Sequence, residues 1–501
     1  MNRDFSRFSK QVYDLLIIGG GINGAAIAHL AALRRMSVAL VEKGDFASGT
    51  SSKSSKLMHG GLRYLEKGQW SLVREALCER QFHLKAAPHL VKPLPFIIPV
   101  YQEDRRPLWM MRLGVFLYDF LAGNRRAGQR RNLDAESVLK LAPGLRREGL
   151  RGGVLYYDAQ MDDARVCLEN VQAADAHGAH VANYAAVTGF VKENGRVVGA
   201  RLQDLLDPSA PEIEIRARHL FCAAGPWTQE LMKLDDPRAP KAVRPTKGVH
   251  LVVPRKISDY AFLIPARHNN RIFFILPWKE NTMIGTTDTD FEGSPDDVKV
   301  DERDITYLLE ETRRVFPGWR IDRKDVTVSF AGLRPLVDRP GETSSVSREH
   351  EIFQSMSGIH FVVGGKYTTY RVIAEDCLKR LCPNSLVKID ALFGSGVIPD
   401  QWESAAREFE MPVEDLKALS GFYGIRYREV LALIRENPAL KEHPVPGLGI
   451  LRAQLVYSVR HEMARSADDI LFRRLCLGYS AFEMERHGPA LREAIAAERL
   501  F

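Results

Sequence analysis

The sequence predicts an α/β fold with a parallel sheet, joined to a domain of antiparallel sheet and followed by an all-helical domain. Three observations carry this. Residues 14–41 read apolar strand, glycine cluster, apolar helix, apolar strand, and that order implies a right-handed parallel crossover. Residues 250–287 hold four short strand-like runs separated by turn residues, the pattern of an antiparallel sheet. Beyond about residue 395 strand-like runs stop, and Arg- and Glu-rich helical patterning continues to the end.

Taken in order, residues 1–13 form a polar lead-in. A buried strand spans 14–18, a helix 25–33 and a second strand 37–41. The apolar stretch 15–33, preceded by Arg3, Arg7 and Lys10, imitates a signal peptide. Glycines, Asn23 and His29 interrupt it, so a strand running into a helix is the better reading. A Ser/Thr/Lys/Gly segment fills 49–61, and a helix runs from 70 to about 87. Residues 94–131 break the α/β rhythm. A helix covers 162–176, a strand pair 187–202 turns over Asn194-Gly195, and a strand at 219–223 ends at Gly225-Pro226 before another helix. The antiparallel strands are 250–253, 262–265, 272–276 and 283–287, with turns at 268–270 and 279–281. A helix at 304–315 and a hairpin of 352–356 with 359–363 follow, and Gly364-Gly365 opens a helix at 370–381. The expected domains are 1–90, 150–240 and 325–390 as one discontinuous unit, 91–149 with 241–324 as the second, and 395–501 as the third.

The chain has 501 residues, 45% hydrophobic and 27% charged, which suits a folded multidomain protein. Its net charge of +7 suits an anionic substrate or lipid surface, and is too dispersed to argue for nucleic acid. Its six cysteines form no CxxC pair and no zinc-ligand spacing. They read as reduced structural thiols of a cytoplasmic protein.

Gly19, Gly21 and Gly24 in Gly19-Gly20-Gly21-Ile22-Asn23-Gly24 satisfy GxGxxG between a strand and a helix. The first makes the tight turn, the second admits a pyrophosphate, and the third lets the helix pack on the sheet. The helix N-terminus offers free N–H groups to phosphate. Glu42, about twenty residues on, can accept both hydroxyls of an adenosine ribose and repels a 2′-phosphate. The fingerprint alone leaves FAD and NAD open. Two later strand-end glycine turns, Ala223-Ala224-Gly225 and Val363-Gly364-Gly365, suit an extended FAD crossing the domain. The last also aims a helix N-terminus at an electron-rich group, as a reduced flavin is.

Residues 49–66 read GTSSKSSKLMHGGLRYLE. With GGGINGA before them, and MDDARV (161–166), AAGPW (223–227), TKGVHLVVP (246–254), IGTTDTD (284–290), GLRPL (332–336), GGKYTTYR (364–371) and VRHEMARSADD (459–469) after them, the chain resembles the FAD-dependent glycerol-3-phosphate dehydrogenases. The ordered series spans nearly the whole chain. The resemblance implies a Rossmann-like FAD-binding domain, a D-amino-acid-oxidase-like antiparallel substrate domain and a C-terminal helical domain. It also implies oxidation of sn-glycerol 3-phosphate to dihydroxyacetone phosphate, with electrons passed to membrane quinone. Oxygen as acceptor is an alternative, and a flavin-free binding or regulatory protein a second. Tyr367 stands where the family pattern suggests an aliphatic residue, and reads as packing.

Such a reaction needs a hydride acceptor, a base and a cationic clamp for a phosphate dianion. Arg63, Arg334 and Lys366 are the clamp candidates, since guanidinium groups bind phosphate bidentately. Among the histidines, His59 in the glycine-flanked loop is preferred as base, and His250 is given substrate orientation or the same proton. Thr286 and Thr287 can donate to substrate oxygens, and Tyr64 is a further substrate-binding candidate. Thr50, Ser51, Ser52, Ser54, Ser55 and Lys56 can hold the pyrophosphate or the flavin edge. The cofactor set is completed by Gly20, Ile22, Asn23, Lys43, Gly60, Val187, Ala224, Gly225, Trp227, Gly332, Gly365, Thr368 and Thr369, with His59 and Lys366 shared. Asp288-Thr-Asp290-Phe-Glu292-Gly293 begins like a calcium loop, but the twelfth position holds Lys299 instead of Glu, so no metal is expected.

Residues 108–121 are apolar at helical spacing, with Arg112 and Asp119 on one face and arginines at 105, 106, 125, 126, 130 and 131 around them. This suits a helix lying in the interface of an anionic membrane, or a core helix, and is too short to cross. The expected location is the inner face of the cytoplasmic membrane. The C-terminal helices suit self-association as a homodimer.

Overall fold

The computed structural model describes residues 1–66, 68–267, 271–339, 349–398 and 401–498. The turn expected at 268–270 lies outside them. Two sheets organise the chain. In the first, strands His360–Gly364, Ile213–Cys222, Val12–Ile18, Val38–Val41 and His180–Ala182 are parallel neighbours in that order. Their C-terminal ends share one edge, which gathers the three glycine turns that lie far apart in sequence. Helix Ile22–Leu33 is buried around nearly its whole circumference, against Asp163–Ala176 and Tyr370–Lys379. Its Ala-rich composition permits that. A Cβ on Gly24 would stand 1.9 Å from the Gly19 carbonyl oxygen, so only glycine fits at this crossing.

The first sheet carries two hairpins. Ala185–Glu193 and Arg196–Asp204 turn over Asn194 and Gly195, both at positive φ, as a two-residue hairpin requires. His350–Gln354 pairs with His360–Gly364.

The second sheet has ten strands, mostly antiparallel, and its two faces alternate with the pleat. In strand Val243–Val253, the odd residues Val249, Leu251 and Val253 pack with Ile305, Leu308 and Leu309 of helix Glu302–Val315. The even residues Gly248 and His250 face the first sheet. The same alternation turns Ile272 and Phe274 of strand Ile272–Trp278, and Gly332 and Arg334 of strand Val328–Val337, toward that side.

Two expectations need correction. Strands Val91–Tyr101 and Leu150–Met161 pair along their length in the second sheet, where the sequence suggested only a broken rhythm. Strands Leu150–Met161 and Val328–Val337 therefore hydrogen-bond with the second sheet, although residues from 150 and from 325 were assigned to the first unit.

The C-terminal helices, from Trp402–Phe409 to Ala481–Ala497, share their own apolar clusters. They are also tied to the nucleotide-binding unit by buried ions. Arg165 meets Glu462 at 2.6 Å, and Asp45 accepts from Arg473 at 2.5 Å and Arg474 at 2.7 Å. Burial alone would push the Asp45 carboxyl up, but the two guanidinium groups hold it down to about 2. Removing one partner of such a pair leaves an uncompensated buried charge. Their seating on the nucleotide loop was not visible in the sequence.

Candidate active site

One cavity of about 500 Å³ lies between the two sheets. Its first wall is the glycine edge. Gly19, at φ 110°, packs so tightly under the 213–222 strand that a Cβ would be 2.6 Å from the Ala223 carbonyl oxygen. Gly21, Ala224, Gly225, Gly364 and Gly365 line the same cavity, with Ile22, Asn23, Val187 and Trp227. The three turns thus converge as the sequence suggested. Glu42 also lines it. Its carboxylate accepts the Gly20 N–H at 2.7 Å on Oε2 and the Gly44 N–H at 2.8 Å on Oε1, and burial pushes its pKa up. Each oxygen has a second lone pair, so hydroxyls can still be accepted. Lys43 lies over the Trp227 ring and pairs with Asp296.

The 49–61 loop crosses between the sheets. Thr50 Oγ1 donates to Leu333 O at 2.6 Å, and Ser51 Oγ accepts the Ile22 N–H at 2.9 Å, which caps the nucleotide helix from outside. Ser54 Oγ donates to Asp163 at 2.7 Å, and Ser55 Oγ lies 2.8 Å from His250 Nε2. Thr50, Ser51, Ser54 and Ser55 line the cavity together with Lys53, which sequence reasoning passed over.

The second wall brings together His59, Arg63, Tyr64, His250, Thr286, Gly332, Arg334, Lys366 and Thr368. His59 is held by its backbone: its N–H donates to Thr368 Oγ1 at 3.3 Å, and the next N–H, of Gly60, donates to Tyr118 Oη at 2.8 Å. Its ring makes no hydrogen bond among the described residues. Burial, opposed by Asp158 and assisted by Lys366 and Arg63, lowers its pKa to about 4. His250 is stacked on Phe330 at 5.0 Å, and burial followed by Arg334 lowers it to about 3. Both imidazoles are neutral at ordinary pH. Arg334 donates to Thr286 Oγ1 at 2.8 Å and lies 3.3 Å from Asp288 Oδ1. The Lys366 ammonium lies 3.7 Å from the Tyr64 ring centre.

Seven of the expected residues do not line this cavity. Gly20 and Gly24 serve as packing glycines, and Gly20 ties Glu42 in place. Ser52 is fully buried. Lys56 is buried under Trp278 and Tyr479 and paired with Asp163 at 2.6 Å. Gly60 faces Tyr118. Thr287 turns instead to the backbone of strand Val243–Val253, where its Oγ1 accepts the Val249 N–H at 3.0 Å and donates to Lys247 O at 3.5 Å. Thr369 is buried and bonds back to Lys366 O at 3.4 Å. Tyr367, read as packing, lines the cavity and donates to the Asp163 carbonyl.

Arg271, Asp288 and Asp158 were missed. Asp288 accepts from Arg271 through its carbonyl and from Arg334 through its carboxylate, and so gathers two guanidinium groups. The acidic run after the 281–285 strand was the available signal, and beyond its place in the IGTTDTD motif it was weighed only as a calcium loop. Asp158 accepts from Tyr118 at 2.7 Å and Arg80 at 2.7 Å, beneath the Gly60 N–H.

Comparison with known proteins follows the same division. The family described as FAD dependent oxidoreductase matches residues 14–371, and that described as C-terminal domain of alpha-glycerophosphate oxidase matches 390–498. A protein of Mycobacterium leprae named glycerol-3-phosphate dehydrogenase is 38% identical, over 98% of this chain and 85% of its own. The human mitochondrial glycerol-3-phosphate dehydrogenase is 34% identical, over 93% of this chain and 68% of its own. The crystal structure of a Bacillus halodurans glycerol-3-phosphate dehydrogenase complexed with FAD superposes with a TM-score of 0.80 at 30% identity, covering 99% of this chain and 92% of that one. The glycine cradle, the Glu42 acceptors and the capped helix N-terminus fit that dinucleotide. The chain belongs to the FAD-dependent glycerol-3-phosphate dehydrogenase family of flavoprotein oxidoreductases.

Proposed function

We propose that the protein oxidises sn-glycerol 3-phosphate to dihydroxyacetone phosphate, passes the electrons to a membrane quinone, and works on the inner face of the cytoplasmic membrane. The observation that carries the reading is a single cavity in which a dinucleotide cradle meets two neutral histidines and the cations Arg63, Arg271, Arg334 and Lys366. FAD, when bound, supplies the acceptor for the hydride leaving C2. The protein's own groups do the rest. Arg334 and Arg63 receive the phosphate, with Lys366 adding charge and Tyr64 shaping the wall. Asp288 and Thr286 hold the Arg334 guanidinium in place on the cavity wall, and a guanidinium suits a phosphate dianion by its planar fork of donors. The hydroxyl proton goes to the His59 ring. His250 is less suited as base because its Nε2 is committed to Ser55, and it orients the substrate instead. Thr286 Oγ1 accepts from Arg334 on the same cavity wall and helps to fix that guanidinium.

The membrane part of the reading rests on helix Leu108–Ala122. Val115, Tyr118 and Ala122 are buried, while Trp109, Leu113, Phe116 and Phe120 are exposed along one stripe, Phe120 by 69%. No helix among the described residues is long and apolar enough to cross a membrane. An exposed aromatic stripe with arginines around it suits a helix resting in an anionic interface. Oxygen as acceptor keeps one observation in its favour, the oxidase description of the matched C-terminal domain. Acceptor use decides between the two. With glycerol 3-phosphate in air, a quinone analogue should be reduced in step with dihydroxyacetone phosphate. Peroxide formed in step with product, with the quinone untouched, would favour the oxidase.

A further inference from the structure

A second cavity of about 290 Å³ adjoins the first, and Leu62, Arg63, Leu263 and Ile272 line both. Its floor is apolar, from Ile98, Val100 and Pro265. Its polar lining is Arg63, Arg105, Arg106, Arg146, Arg267 and Arg314 against Glu66, Glu103 and Asp104. Arg106 pairs with Glu66, Arg146 with Glu103, and Arg314 with Glu311 behind the wall. Arg105 and Arg267 are exposed and form no ion pair among the described residues. The cavity therefore has an excess of positive charge, a low-dielectric floor, and two rim cations whose side chains pair with no carboxylate among the described residues, Glu311 meeting Arg267 only at its backbone N–H.

Such a cleft concentrates field lines and raises the local concentration of anions. A neutral acceptor gains nothing from that excess, whereas a phosphate monoester with close to two negative charges gains most. Arg63 lines both cavities, so one guanidinium can face the phosphate before and after it passes the Leu62–Arg63 wall.

We propose that this outer cavity is a recruitment site for phosphate monoesters, where the substrate phosphate docks among Arg105, Arg267 and Arg63 before it enters the inner cavity, and by which the product phosphate leaves. The inference rests on the substrate reading above. It assigns a binding site outside the reacting centre and involves no chemical step.

The test compares the wild-type holoenzyme with the double variant Arg105→Glu/Arg267→Glu and the charge-conserving Arg105→Lys/Arg267→Lys. Anaerobic stopped-flow bleaching by glycerol 3-phosphate is followed over a range of salt, and binding of inorganic phosphate is measured by calorimetry. The glutamate variant should lose about tenfold in the second-order bleaching rate at low salt, the order expected when a steering field is reversed. Its salt dependence should flatten, its phosphate binding weaken, and its saturated bleaching rate stay unchanged. The lysine variant should restore most of the rate. An unchanged second-order rate with the same salt dependence in the glutamate variant would overturn the proposal. So would a loss confined to quinone reduction, which would give the cavity to the acceptor. A wild-type protein that glycerol 3-phosphate fails to bleach would instead sink the substrate reading, and this inference with it.

Discussion

At the scale of the residue, the site's logic is that the two histidines are neutral for the same reason and differ in what their nitrogens already do. Burial depresses both, but His250 is tied to Ser55 and stacked on Phe330, while His59 keeps its ring for the cavity. His59→Gln should therefore lower turnover by roughly a hundredfold or more, the usual contribution of a positioned base. Ser55→Ala, which only loosens His250, should cost less than about tenfold. Flavin content measured by absorbance should be unchanged in both. Near-normal turnover in His59→Gln would move the base elsewhere. His59 and Arg63 were legible because glycines flank the loop that carries them. Asp288 and Arg271 were not, because what marks them is a contact between a strand end and a turn distant in sequence. Lys56 and Thr287 misled for the opposite reason: a polar side chain beside a binding motif points into the site or away from it according to the pleat and the loop's twist, and sequence alone leaves that choice open.

At the scale of the element, helix Leu108–Ala122 joins surface to site. Its outer stripe is exposed, and its inner face places Tyr118 Oη 2.8 Å from the Gly60 nitrogen, next to His59. Substituting Trp109 and Phe120 by Ser should weaken binding to anionic vesicles at least about tenfold in a sedimentation assay, since each aromatic side chain contributes roughly 1.5–3 kcal/mol on burial. Unchanged binding would place the lipid contact on another face. Tyr118→Phe removes the nearer acceptor of the Gly60 N–H and leaves only Asp158 Oδ1 at 3.4 Å. It should lower turnover several-fold in the detergent-free enzyme with vesicle binding intact, and unaltered kinetics would show that the backbone bond is dispensable. The helix was legible from its spacing; one of its faces packs inward and the other stripe is exposed. Strand Val91–Tyr101 was harder to see. Pro93, Pro95 and Pro99 interrupt its pattern, yet all stand at odd positions, so the missing donors fall on one edge of the strand and the pairing with Leu150–Met161 survives.

At the scale of the whole molecule, the nucleotide unit was nearly complete in the first fifty residues, because glycine turns obey local rules. The seating of the C-terminal helices was not, because it depends on Asp45, Arg473 and Arg474 meeting across more than four hundred residues. The buried histidines contribute to how the assembled protein responds to acid. Burial lowers His29 to about 4 and His83 to about 3, and the His83 ring nitrogens have no hydrogen-bond partner among the described residues. Between those values and the ordinary 6.5 the unfolded chain binds protons that the folded one refuses. The contribution of these two histidines to stability is therefore complete above about pH 6.5 and falls as pH drops toward 4, by up to about 1.4 kcal/mol per pH unit for each such group. His83→Phe should flatten this slope by about that amount in urea unfolding between about pH 6.5 and 4.5. An identical slope would mean that His83 is already accommodated when charged.

The central claim is that a dinucleotide cradle and a phosphate-binding cluster share one cavity and act on one substrate. Anaerobic titration of the purified holoenzyme tests it most directly. The flavin's visible absorption should bleach on addition of sn-glycerol 3-phosphate and stay unchanged with glycerol or glycine. Equal bleaching by glycerol or glycine, or none by the phosphate ester, would contradict the account.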